Sequence, residues 1–215
     1  MSEEEKTEEM DESIAKVLEA ENRYYQEVTI TSIDGQCPYG HKVGDKFKVT
    51  TMNGDGICGS LLKSIFYQIA TFHYGGEIMW EQEKGVTTGS CAEGGRVKVD
   101  IRRVEQDEKT LLKTPFEMKD MTGKGYKNLD KYRIFVEVID IAVNCYWGHK
   151  VDDVFELDPF NMGGACCFLY NQLYQFIHVL ASGASPPWAG EELTVIGECP
   201  DTYDRLMYRL YVKER

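Results

Sequence analysis

The 215-residue sequence predicts an α+β fold of two tandem repeats, each ordered β-β-α-β-β, with one helix covering a small antiparallel sheet. Three observations carry that expectation. Shifting the chain by 108 residues aligns 28–91 with 136–199 without a gap and gives nineteen identities in sixty-four positions. In each half, apolar residues alternate with period two on either side of one stretch of helical period. That stretch stops at a glycine in both halves, Gly75 and Gly183.

The elements follow in order. Residues 1–25 form an acidic tail and a short helix: positions 1–13 hold seven carboxylates against the single Lys6, and Ile14, Val17, Leu18 and Tyr25 fall on one stripe. The first repeat spans 26–105. Its strands are EVTITSI, DKFKVT, GVTTGS and RVKVDIRRV, and between the second and third lies GSLLKSIFYQIATFHYGG, a helix with Leu61, Leu62, Ile65, Phe66 and Ile69 on its apolar face. Residues 106–130 are a charged linker that has no counterpart in the repeat and is expected to hold one short helix. The second repeat, 131–215, supplies FVEVIDI, DVFELD, ELTVIG and RLMYRLYV, with one residue inserted before Arg205. Units of roughly 80 residues bury little surface alone, so the two are expected to pack about a pseudo-twofold axis.

Charge and composition exclude several classes of function. A formal net charge of -12 repels phosphate backbones and anionic lipid, so neither nucleic acid nor membrane is an expected partner. No apolar run reaches the length of a membrane span, and the N-terminus is acidic where a secretory signal is basic. The expected location is the cytoplasm. Seven cysteines, an odd number, are expected to stay reduced there. The sequence identifies no protein partner.

The repeat points to the candidate site. Surface positions have diverged between the copies, as Lys63 against Asn171 and Lys84 against Glu192 show. Six of the seven cysteines nevertheless pair: Cys37 with Cys145, Cys58 with Cys166, and Cys91 with Cys199. His41 pairs with His149, while Cys167 is unpaired and His73 and His178 do not correspond. Each unit therefore retains three thiols and one imidazole, a donor set that suits zinc, iron or an iron-sulfur cluster. CPYGHKVGDKF places Cys37 and His41 across a turn, whereas Cys58 and Cys91 stand alone instead of in two CxxC knuckles.

The leading expectation is a metal-binding protein with two equivalent Cys3His sites and no assigned reaction. One alternative is a thiol-based redox protein or enzyme using Cys58 and Cys166, whose thiolates a helix N-terminus would stabilise. Another is a metal-free structural or small-ligand-binding module in which the cysteines pack as small apolar groups. Among the other paired residues, Asp45 is expected to cap a turn, the paired glycines to meet backbone needs, and Trp80 and Trp188 to close a core. Lys42 and Lys150 have no assigned role. The sequence contains no P-loop, HExxH or GxSxG motif.

The segment Cys37 to Asp45, Gly56 to Cys58, Gly75 to Trp80 and Cys91 together resemble a family of small, mostly single-unit prokaryotic proteins with a C-x-x-G-H-K-x-G-D motif, common among anaerobes. The resemblance covers both repeats, and the first is the closer match, because the second has Asp152 for the motif glycine and SGASPPW for YGGEIMW. It implies a shared fold and no particular reaction.

Overall fold

Each half of the chain folds into the expected unit. The computed structural model describes Glu19 and residues 22–107, 111–189 and 193–215; the stripe positions Ile14, Val17 and Leu18 lie outside them. The first unit holds β1 (Tyr24–Ile33), β2 (Lys46–Val49), α1 (Gly59–His73), β3 (Val86–Ser90) and β4 (Val97–Glu105). After a four-residue 3-10 turn, Lys127–Asp130, the second holds β5 (Tyr132–Asp140), β6 (Val154–Leu157), α2 (Cys167–Ala181), β7 (Val195–Glu198) and β8 (Met207–Glu214). The short helix expected in the linker is this 3-10 turn. Tyr25, assigned above to a helical stripe, lies in β1.

The two antiparallel sheets have the same strand order, β2-β1-β4-β3 and β6-β5-β8-β7. Both carry a bulge at the same place, between Ile30 and Ser32 and between Val138 and Asp140. Period two places Val28 and Ile30 of β1 and Val97, Val99 and Ile101 of β4 on one face, and α1 covers them with Leu61, Leu62, Ile65 and Ile69. Each such fully buried aliphatic side chain contributes about 1.5–3 kcal/mol. The helix comes close over Gly89, where a Cβ would lie 2.6 Å from Ile65 Cγ2.

Both helices end alike. Gly75 N–H reaches Phe72 O and Gly76 N–H reaches Thr71 O, and Gly183 and Ala184 repeat the pattern on Leu180 and Val179. Beyond that stop the chain runs over the surface, and Ile78 and Ala189 take the inward positions. Trp80 and Trp188, expected in a core, are consequently 70% and 71% exposed.

The units meet along their helices by reciprocal contacts. Gly59 N–H donates to Phe160 O at 2.7 Å and Cys167 N–H to Met52 O at 3.0 Å, each the image of the other under the 108-residue shift. Phe66 meets Phe168 edge-on at 5.6 Å, while the corresponding pair, Tyr174 and Ser60, bonds through its hydroxyls at 3.3 Å. The linker obeys the same axis. Asn53 accepts from Thr114 N–H at 2.9 Å, and Asn161 accepts from Lys119 N–H at 3.0 Å and donates to Lys119 O at 2.8 Å.

Candidate metal centres

Three segments distant in sequence meet at the start of α1. After β1 the CPYGHK turn doubles back, held by Gly40 N–H on Cys37 O and by a pair of bonds between Ile30 and residues 44 and 45. Gly44 has φ 93°, and its counterpart Asp152 holds φ 72°, so the glycine lost from the second copy is replaced by a residue that tolerates the left-handed region. Asp45 caps the turn as expected: its Oδ2 accepts from Lys42 N–H at 2.8 Å, and Asp153 does the same for Lys150. Cys58 is the residue immediately before α1, and Cys91 follows β3.

Cys37, His41, Cys58 and Cys91 line one cavity of about 20 Å³, which Phe160 of the other unit helps to close. Cys58 and Cys91 are buried and Cys37 is half-buried. His41 Nε2 accepts from Cys58 N–H at 3.1 Å, so the imidazole carries its proton on Nδ1, which faces Asp45 Oδ2 at 3.9 Å. Cys91 Sγ accepts from Val97 N–H at 3.3 Å. In the second unit Cys166 stands beside Cys199 and Cys145, and His149 Nε2 accepts from Cys166 N–H at 3.3 Å. All eight residues singled out by the repeat therefore fall into two clusters of four. As the side chains stand, no group of three or more His, Cys, Asp or Glu among the described residues is closed to metal-ligating distance.

Burial dominates the electrostatics. It pushes the Cys58 thiol up to about 12, against the helix N–H groups of Leu61 and Ser60, which pull it down. Cys199 is likewise raised to about 12 and Cys145 to about 11, mainly by burial, and Cys166 lies well above the ordinary thiol range. The helix terminus expected to stabilise a Cys58 thiolate is present, but the loss of solvent outweighs it. Both histidines are lowered to about 4, first by burial; Lys119 adds to this at His41, while Asp153 opposes it at His149.

Several neighbours escaped the sequence comparison because they are not repeated. Lys119 Nζ lies 3.9 Å from the Tyr39 ring centre and Lys113 Nζ 4.7 Å from that of Trp147, so the linker sets one cation on each turn. Glu93 accepts from Tyr126 at 2.9 Å and from Ser60 at 3.3 Å beside the first pocket only. Cys167 lies outside both clusters, fully buried between the units. His73 is buried in the first unit, and His178 meets the Tyr126 hydroxyl at 2.9 Å. Among the described residues no helix is long and apolar enough to cross a membrane. Comparison with protein-family models, curated protein sequences and solved structures gave no match.

Proposed function

We propose that the protein binds two metal ions, one per repeat, through Cys37, Cys58 and Cys91 with His41, and through Cys145, Cys166 and Cys199 with His149. One observation carries this reading: three thiols and an imidazole from separate segments line a single small pocket, and the same four residue types converge again in the second unit. The donor chemistry fits a borderline ion such as zinc or ferrous iron, which would displace the thiol protons and hold the segments together. The Nδ1 side of His41 is turned toward Asp45, the orientation in which a carboxylate supports a ligating histidine. Ligation through Nε2 takes the place of the Cys58 N–H bond.

The test is elemental analysis and a visible spectrum of protein purified without oxygen. Two equivalents of zinc or iron per chain are expected, falling to one in Cys58→Ser and in Cys166→Ser and staying at two in Cys167→Ala. A second reading has its own support, since the His41 and His149 bonds already satisfy the helix starts: the clusters would then be metal-free staples. Protein that purifies without metal and takes up none under reducing conditions would establish that reading. A thiol enzyme is less well supported, because the raised Cys58 and Cys166 thiols are the opposite of an activated nucleophile.

A further inference from the structure

The two pockets differ at one backbone position. Asp34 N–H donates to Arg96 O at 2.9 Å, and Ala142, its counterpart 108 residues on, donates to Asp204 O at 3.0 Å. The next rung is also shared, with Cys91 N–H on Val97 O and Cys199 N–H on Leu206 O. Asp204 therefore occupies the place of Arg96. Between the two rungs the second unit carries one residue more, Arg205, whose φ of 48° absorbs the insertion. Arg205 goes outward, its side chain 66% exposed and paired with Glu198.

Asp204 goes inward. It is 3% exposed, and its carboxyl group stands beside the Cys145 and Cys199 thiols. Its side chain accepts from Leu206 N–H at 3.4 Å, and it forms no ion pair among the described residues. A buried carboxylate without a cation is costly, and a site that draws in a metal ion supplies the missing charge. At the first pocket the same backbone place carries a guanidinium, which donates to Gln36 O at 3.0 Å on the rim.

Resting on the metal reading above, we infer that Asp204 is an additional oxygen ligand of the second centre, so that the two centres hold their ions in different donor sets. The first is three sulfurs and one nitrogen, its lining carboxylate Glu93 being engaged by the Tyr126 and Ser60 hydroxyls. The second adds a carboxylate oxygen, the hard donor that broadens a thiolate site toward ions accepting five ligands, ferrous iron among them.

Cobalt(II) tests this, because a four-donor thiolate site absorbs strongly in the visible and a five-donor site weakly. The full chain, reduced and titrated without oxygen, is expected to show one strong and one weak visible band set. Cys166→Ser should retain only the strong set and Cys58→Ser only the weak one. Asp204→Asn, which keeps the acceptor for Leu206 N–H, should convert the weak set to the strong one; Asp204→Ser repeats the test with a smaller side chain, and thermal melting checks that each variant folds. Two identical sets in the parent chain, unchanged by both Asp204 substitutions, would overturn the inference and leave the metal reading standing. If no cobalt binds, both fall.

Discussion

Lys63 Nζ lies 3.0 Å from Oδ1 of Asn171, and these two residues occupy the same position of the two repeats. Counterparts can touch in this way only where they straddle the axis relating the two copies. The pair marks where α1 and α2 cross, and the reciprocal bonds of Gly59 and Cys167 flank it. The interface between units is thus as specific as the units themselves.

Gly59 is the tightest point of that interface, since a Cβ there would lie 2.0 Å from the Tyr170 hydroxyl, which is itself bonded to Asp158 O at 2.7 Å. Gly59→Ala should lower stability by about 1–3 kcal/mol in denaturant titration with unchanged slope. Adding Tyr170→Phe should recover part of that loss. Strictly additive effects would show that the contact is not the cause.

The histidines make the metal-free protein sensitive to mild acid. An imidazole titrates near 6.5 in the unfolded chain and at about 4 here, so below about pH 6.5 the unfolded state binds more protons and stability falls with pH until about pH 4. The loss is on the order of 3 kcal/mol for each histidine, reached at the acid end of that window. Urea titrations between pH 7.5 and 4.5 should show it, with a shallower slope in His41→Gln, which keeps an acceptor and loses the titration. A slope identical to the parent's would contradict the assignment.

Alkylation reads out the thiols directly. At pH 7.5 a thiol held at about 12 has a thiolate fraction on the order of a thousandfold below an ordinary cysteine, before any steric protection is counted. Iodoacetamide should therefore label half-buried Cys37 well before Cys58, as mass mapping over time would show. Rapid labelling of Cys58 in folded protein would restore the reactive-thiol reading.

The linker is expected to be structural. Asn53→Ala and Asn161→Ala each leave linker N–H groups without their acceptor, at a cost of about 1–3 kcal/mol. Both should show this in thermal melts. A pair of neutral substitutions would make the linker a mere tether.

Much of this was legible in the sequence, and the division has physical causes. Strand and helix periods are local, and the 108-residue offset exposes paired residues directly, so the units and both four-residue clusters could be read before any coordinates. Burial is not local. Ile78 and Ala189 are buried nearby in the chain while Trp80 and Trp188 face outward, and burial raised Cys58 although a helix start lowers it. The inserted Arg205 was visible as a gap, but which neighbour it rotates inward depends on one φ angle. Lys113 and Lys119 left no signal at all, since a linker residue has no counterpart against which to stand out, and Glu93, which meets Asp201 across the offset, lies beyond the gapless 28–91 alignment.

The helix-start amides that cross between units bear on how such a protein tolerates dilution. Two separate single-unit chains would make the Gly59 and Cys167 N–H bonds across the interface only by associating, at an entropic cost of about 4–15 kcal/mol, and the paired fraction would follow protein concentration. Here the partner is always present at the effective concentration set by a short, clamped tether. Joining the copies also ends the rule that every substitution occurs twice across the axis. Ser60 against Phe168 and Arg96 against Asp204 are differences that a symmetric pair of identical chains cannot have.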